Sequence, residues 1–154
     1  MTRRVEREFS FVLNGRPVKV RAPPAYSLLE VLRYELRMTG VKEGCARGDC
    51  GECTVLVDGE PVHACLTTMT QVEGKNVTTI EGIDPAHPLV RAFVESGAIQ
   101  CGHCTPGLIV TSYALLSRNP RPTEEEVREA IRGNLCRCTG YAKVVAAVLR
   151  AAGA

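Results

Sequence analysis

Alternating apolar and polar positions predict two β-hairpins and a last short strand in the first half of the chain. Each hairpin turn is an Asx-Gly pair, Asn14-Gly15 in the first and Asp58-Gly59 in the second, which is the strongest short signal for this motif. The predicted strands span residues 9–13, 17–20, 54–57, 61–64 and 78–80.

One helix is predicted between the two hairpins. Ser27 and Glu30 have the spacing of a capping box, and apolar residues recur at helical intervals over residues 28–36. We expect this helix to run to about Met38 and to stop near Gly40. A mixed sheet that cradles one helix is the β-grasp arrangement.

From about residue 84 the apolar period becomes helical, and four helices are predicted. They span about residues 88–96, 106–119, 124–133 and 140–151. The predicted N-caps are Thr105, followed by Pro106 at the first helical position, then Thr123 with Glu126 in a capping box, and Thr139. These elements predict a small helical bundle.

Eight cysteines fall into two sets of four with the spacing of metal ligands. The first set reads C-x4-C-x2-C-x11-C, which begins with the spacing of plant-type 2Fe-2S ferredoxins, and the second reads C-x2-C-x31-C-x1-C. Glycines crowd the first loop, as expected where backbone N–H groups turn toward anionic sulfur. The two sets are Cys45, Cys50, Cys53 and Cys65, and Cys101, Cys104, Cys136 and Cys138.

The predicted fold is therefore α+β, with an N-terminal β-grasp ferredoxin-like domain followed by an all-α four-helix-bundle 2Fe-2S domain. We place the domains at residues 1–82 and 83–154. In the second domain, Cys104-Thr105 and Cys138-Thr139 each put a cysteine directly before a predicted N-cap. Two helix N-termini are expected to point at one anionic cluster.

Three other uses of the cysteines fit the sequence less well. A disulfide framework is typical of exported proteins, and the N-terminal residues lack the apolar run of a signal peptide. Structural zinc usually takes two closely spaced pairs, whereas the first set is a triplet plus one. Unmetallated core cysteines do not cluster at ligand spacing beside glycines.

Composition excludes several classes of function. The 154 residues are 45% hydrophobic, and Lys plus Arg exceed Asp plus Glu by only 19 − 17 = 2. There is no tryptophan and no basic stretch interleaved with aromatics, so nucleic acid is not expected as a partner. No apolar run reaches the roughly 20 residues of a transmembrane helix. We expect a cytoplasmic protein.

Three segments together resemble the iron-sulfur subunit of the molybdenum hydroxylase family, which includes xanthine dehydrogenase. They are EGCARGDCGECTVLVDG, QCGHCTPG and GNLCRCTGY. The resemblance covers nearly the whole chain. It is more specific than any single C-x2-C pair, because the last two segments must occur together behind a ferredoxin-like first half.

The resemblance implies an electron-transfer subunit that carries two 2Fe-2S clusters and no substrate site or catalytic residue. Electrons would pass from a molybdopterin centre in a large subunit to FAD in a medium subunit, in a heterotrimer or a dimer of heterotrimers. The cluster on the second cysteine set would lie next to the pterin, and the cluster on the first toward the flavin. Gln100, through its amide, and Cys138, through its sulfur, would contact the pterin.

Two residues depart from the family pattern. His103 stands where the family usually has Phe, and Glu52 where it more often has Ala. We expect His103 to have a packing or exposed polar role. The alternative is a place near the cluster of the second cysteine set, where His103 would make the potential of that cluster pH-sensitive. We expect Glu52 to be solvated, the alternative being a carboxylate that lowers the potential of the cluster of the first cysteine set.

Two further functions stay open. A free-standing two-cluster ferredoxin is the first, although the nearly neutral net charge is unlike the acidic surface of an independent carrier. A zinc-stapled interaction module without redox chemistry is the second.

Overall fold

The computed structural model describes residues 6–153, which form five strands and six α-helices. The strands are β1 (Arg7–Leu13), β2 (Arg16–Ala22), β3 (Thr54–Val57), β4 (Glu60–His63) and β5 (Asn76–Thr78). The helices are α1 (Leu28–Glu30), α2 (Met69–Val72), α3 (Pro88–Glu95), α4 (Thr105–Arg118), α5 (Glu124–Ile131) and α6 (Ala142–Ala151). Residues 1–5 and 154, the outer ends of the two predicted domains, lie outside the described part, and residues 1–5 also begin the segment used to argue against a signal peptide.

The strands form one mixed sheet in the order β2-β1-β5-β3-β4. Strand β5 runs parallel to β1, and the other neighbouring strands are antiparallel. Both predicted hairpins are confirmed. Asn14 and Gly15 have φ values of 50° and 77°, and Asp58 and Gly59 have 51° and 85°, as a type I′ turn requires. The last strand lies two residues earlier than predicted, because a 3₁₀ turn (Ile80–Gly82) follows it.

The predicted helix after residue 27 begins at the predicted cap, but most of its length is not α-helical. Ser27 and Glu30 make the capping box, and only three residues are then α-helical. A π-helical segment (Val31–Glu35) continues the chain, with the Leu36 N–H donating to the Val31 carbonyl at 3.0 Å. Arg37 then ends the turn at a φ of 59°, ahead of the predicted stop at Gly40.

The prediction of an all-α four-helix-bundle domain is wrong, because helices α3 to α6 share their core with the sheet. Helix α4 packs on β3 and β4, and Leu56 of β3 belongs to the apolar cluster of the helices. Six consecutive residues of α4, 107–112, are buried. A bundle helix buries one stripe, whereas burial on all sides places α4 between the sheet and the other helices. The chain is an α+β protein with a mixed sheet and short helices.

Two apolar clusters hold the structure together. One lies between the sheet and helices α1 and α2 and includes the fully buried Phe9, Leu32 and Met69. The other gathers α3 to α6 around Phe93 and Leu108. Each such side chain contributes about 1.5 to 3 kcal/mol of burial free energy. The segments that carry the cysteines lie outside regular structure, between these packed elements.

Candidate iron-sulfur sites

The first cysteine set converges from one long loop and from the end of a strand. Cys45, Cys50 and Cys53 lie between the π segment and β3, and Cys65 follows β4. The thiol of Cys45 interacts with that of Cys50, and the thiol of Cys53 interacts with those of Cys65 and Cys50. The structure therefore brings together all four residues that the spacing selected.

Backbone N–H groups turn toward sulfur in this loop. Arg47, Asp49 and Cys50 donate to Cys45 Sγ at 3.5, 3.2 and 3.4 Å. The hydrogen bond from Arg47 is the main cause that lowers the pKa of Cys45 to about 7. Thiolates are the iron ligands of 2Fe-2S clusters, and donors aimed at sulfur stabilise that charge. The first set fits an iron-sulfur cluster in its donor chemistry.

The second cysteine set joins the loop before α4 to the loop after α5. Cys101 and Cys104 lie before α4, and Cys136 and Cys138 lie between α5 and α6. The Sγ atoms of Cys101 and Cys138 are 3.6 Å apart, and the thiol of Cys104 interacts with that of Cys136. These contacts unite residues that are more than thirty positions apart in the sequence.

The pKa values of Cys104 and Cys136 are shifted in opposite directions by burial and hydrogen bonding. Burial raises the pKa of Cys104 to about 12. Burial also acts to raise the pKa of Cys136, but hydrogen bonds outweigh it and the pKa is lowered. The Thr139 N–H and hydroxyl both donate to Cys136 Sγ, at 3.4 and 3.1 Å. This donor pair is the counterpart of the N–H groups around Cys45.

The expected pair of helix N-termini is only half present. Cys104 itself is the N-cap of α4, one residue earlier than the Thr105 predicted. Thr139 does not cap a helix, because its hydroxyl is bound to sulfur, and α6 begins after Tyr141, which has a φ of 68°. One helix N-terminus therefore meets the second cysteine set directly.

Two residues that the sequence analysis did not select hold the second loop in place. The Tyr141 hydroxyl accepts from the Cys136 N–H at 2.7 Å and donates to the Asn134 carbonyl at 3.2 Å. The Asn134 side chain is buried and donates to the Gly51 carbonyl at 2.8 Å. Their position within GNLCRCTGY, on either side of Cys136, is the signal that could have identified them.

The two cysteine loops touch through their backbones. The Leu135 N–H donates to the Cys50 carbonyl at 2.8 Å. A Cβ on Gly51, which has a φ of 73°, would overlap the Gly133 carbonyl, and a Cβ on Gly107 would lie 2.5 Å from the Gly51 carbonyl. Glycine at these positions is what lets the loops approach so closely.

Neither disulfides nor a single-ion site are found in the part of the chain that the structure describes. All eight cysteines are free thiols. Between residues 6 and 153, no three His, Cys, Asp or Glu side chains are grouped to hold one metal ion. A 2Fe-2S cluster differs from such a site because it spreads its thiolate ligands over two irons. The described helices also include none with the length and apolar character needed to cross a membrane.

Family models of 2Fe-2S binding domains match the two parts of the chain that carry the cysteine sets. Residues 18–99 match the family model of a 2Fe-2S iron-sulfur cluster binding domain, and residues 79–149 match that of a 2Fe-2S binding domain. The nicotinate dehydrogenase small FeS subunit of Eubacterium barkeri is 48% identical over 139 residues, which cover 88% of each chain. The chain belongs to the iron-sulfur subunits of the molybdenum hydroxylase family.

Two further relatives match this molybdenum hydroxylase subunit over nearly its whole length. Isoquinoline 1-oxidoreductase subunit alpha of Brevundimonas diminuta is 46% identical over 145 residues, covering 92% of this chain and 95% of the relative. The crystal structure of quinoline 2-oxidoreductase from Pseudomonas putida 86 superposes with a TM-score of 0.92 at 40% identity, covering 96% and 93% of the two chains. The family is one of oxidoreductases that bind 2Fe-2S clusters.

Glu52 and His103, the two residues that the sequence analysis noted as departures from the expected pattern, are in contact. His103 Nε2 lies 3.1 Å from Glu52 Oε2. The Glu52 side chain is only 16% exposed, so the expectation that it is solvated is wrong. His103 is 49% exposed and polar, as expected.

Gln100 and Cys138 lie together at the surface. The Gln100 amide donates to the Cys138 carbonyl at 3.1 Å, and both residues are exposed, as is Cys101. Their predicted contact with a pterin stays a prediction.

Proposed function

We propose that this chain is the electron-transfer subunit of a molybdenum hydroxylase complex and that it holds two 2Fe-2S clusters. One would be bound by Cys45, Cys50, Cys53 and Cys65, and the other by Cys101, Cys104, Cys136 and Cys138. When bound, such clusters accept and release single electrons. The observation that carries the proposal is the 2.8 Å hydrogen bond from the Leu135 N–H to the Cys50 carbonyl.

This hydrogen bond supports a relay because it joins a ligand of one set to the neighbour of a ligand of the other. Cys50 belongs to the first set, and Leu135 is bonded covalently to Cys136 of the second. Asn134 supports the junction from the side by donating to the Gly51 carbonyl. The chain's own role is to hold the two cysteine sets close together through these hydrogen bonds.

The exposed ends of the two sites support the proposed partners. Cys101, Cys138 and Gln100 are exposed at one site, where we place the molybdopterin of a large subunit. At the other, Leu66 follows Cys65 and is 61% exposed, which suits burial against the medium, FAD-binding subunit. Electrons would enter beside Cys138 and leave beside Cys45.

The relatives' names support a substrate site outside this chain. The three relatives are named for nicotinate, isoquinoline and quinoline, yet each matches this chain over nearly its whole length at 40 to 48% identity. We propose that the large subunit selects the substrate, in a cytoplasmic heterotrimer or dimer of heterotrimers. Our division of the chain into domains at residues 1–82 and 83–154 is supported by the apolar cluster around Phe9, which lies wholly within the first part, while the cluster around Phe93 also takes in Leu56 of that part.

Purification of the complex from its native source, with metal analysis and EPR, tests the proposal. We expect two larger subunits, molybdenum, about four irons per copy of this chain and two distinguishable 2Fe-2S signals. Cys45→Ser should alter only one signal and Cys101→Ser only the other. Four irons on a lone chain without molybdenum would identify a free ferredoxin instead. Zinc without iron in the native protein would contradict both.

A further inference from the structure

One contact joins the two cysteine loops through side chains. Glu52 lies between Cys50 and Cys53, and His103 lies between Cys101 and Cys104. Their Oε2 and Nε2 atoms are 3.1 Å apart, although 51 positions separate them in the sequence. A contact between imidazole and carboxylate thus joins the two loops, in addition to the backbone hydrogen bond of Leu135.

The carboxylate of Glu52 occupies a specific place next to a ligand sulfur. A Cβ on Gly44 would overlap Glu52 Oε2 and would lie 2.9 Å from Cys50 Sγ. The carboxylate therefore fills the space that the missing side chain of Gly44 leaves beside that sulfur. Because the Glu52 side chain is 16% exposed, water screens its charge less than at an open surface.

The other carboxylates of this loop are differently placed. Asp49 is exposed and forms an ion pair with Arg47, and Glu43 is exposed and accepts from the Tyr34 hydroxyl at 2.5 Å. Solvent and these partners reduce their effect on the sulfurs. Glu52 is the carboxylate of the loop with both a sheltered position and a partner on the second loop.

We infer that Glu52 and His103 form a positioning pair, in which His103 holds the Glu52 carboxylate against Cys50 and so makes the cluster of the first cysteine set harder to reduce. The inference rests on the proposed function, since it requires a cluster at that set. One-electron reduction adds one negative charge to the cluster. A fixed carboxylate nearby disfavours that charge by direct Coulomb repulsion.

The two residues of the pair have different roles. Glu52 supplies the charge, and His103 acts only through the position of Glu52. Without His103, the carboxylate is free to rotate toward solvent, where its charge is better screened. A contact that only held the loops together would change the stability of the protein without changing the reduction potential of one cluster more than that of the other.

The test is an EPR-monitored redox titration of the purified complex with both clusters loaded. Glu52→Gln keeps the size of the side chain and removes its charge. We expect the reduction equilibrium constant of the first cluster to rise about tenfold, which is about 59 mV for one electron, and that of the second cluster to change less. Glu43→Gln, which removes an exposed carboxylate from the same loop, is the matched control and should shift neither potential appreciably.

His103→Phe and the double variant decide whether His103 acts through Glu52. His103→Phe should raise the first potential by part of the Glu52→Gln shift, and the double variant should shift it no further than Glu52→Gln alone. An unchanged first potential in Glu52→Gln, with four irons retained, would overturn the inference, as would a lowered potential in His103→Phe. Loss of the two-cluster signature in the wild-type complex would instead refute the proposed function.

Discussion

Asn134 donates its side-chain amide to the carbonyl oxygen of Gly51 at 2.8 Å, which ties the second cysteine loop to the first. Asn134 is 4% exposed and also reaches Thr54 Oγ1 at 3.3 Å. Asn134→Ala removes both hydrogen bonds from a buried junction. We expect it to lower the free energy of unfolding by about 1 to 3 kcal/mol, measured by denaturant unfolding of the purified complex or chain.

Asn76→Ala is the matched control for this variant. Asn76 is exposed, and its side-chain amide makes only a 3.4 Å contact with Asp58. Its replacement should change the unfolding free energy by no more than about 0.5 kcal/mol. Equal losses for the two variants would show that the Asn134 junction adds nothing to stability.

The close approach of the loops makes Gly51 sensitive to a single methyl group. Its φ is 73°, and an added Cβ would overlap the Gly133 carbonyl. Gly51→Ala combines left-handed backbone strain with steric overlap, and we expect a loss of about 2 to 5 kcal/mol in unfolding free energy. Gly59 has a similar φ of 85°, but a Cβ added there would meet open space, so Gly59→Ala should lower the free energy of unfolding by only about 1 to 2 kcal/mol. A loss for Gly51→Ala no larger than that for Gly59→Ala would mean that the loops adjust without cost.

The signals that predicted structure correctly are local ones. Asn14-Gly15 and Asp58-Gly59 set their hairpins because positive φ values at both turn residues are required by the turn itself. The close spacings C-x4-C-x2-C and C-x2-C likewise place their cysteines on one loop, whereas the pairing of these loops with the later cysteines was indicated by residue type alone. In the hairpins and within each loop, the chemistry of a few neighbouring residues decides the conformation.

The failed predictions depended on contacts distant in sequence. Helical periodicity showed which residues of α4 are apolar but not that Leu56 of the sheet covers them. Thr139 had the composition of an N-cap, but Cys136 Sγ takes its hydroxyl. Glu52 was expected in solvent because its partner His103 lies on another loop.

Tyr141 links the backbone of Cys136 to that of Asn134, at the junction between the loops. Its hydroxyl bonds the Cys136 N–H and the Asn134 carbonyl, both in the second loop. Tyr141→Phe removes these bonds and should cost about 1 kcal/mol of unfolding free energy. The EPR signal of the second cluster should change while that of the first does not. Tyr34→Phe, at an exposed tyrosine bonded to Glu43, should change neither signal. Altered signals from both clusters in Tyr141→Phe would contradict a local role.

The thiols of the iron-free chain should differ in reactivity with pH. Hydrogen bonding, mainly from Arg47, lowers the pKa of Cys45 to about 7, whereas burial raises the pKa of Cys53 and of Cys104 to about 12. The thiolate is the reactive form. A lowered pKa means that Cys45 is half ionised near pH 7 and loses its reactivity as the pH falls through that value.

Iodoacetamide labelling followed by peptide mass spectrometry measures this order after iron has been removed with a chelator. Between pH 7 and 9 we expect Cys45 to be labelled well before Cys53 and Cys104, which remain protonated over that whole range. Labelling in denaturant is the control and should make the three rates equal, because unfolding removes both the N–H donors and the burial. If Cys53 reacted as fast as Cys45 in the folded chain, the backbone donors around Cys45 would not be what prepares this loop to bind iron as thiolate.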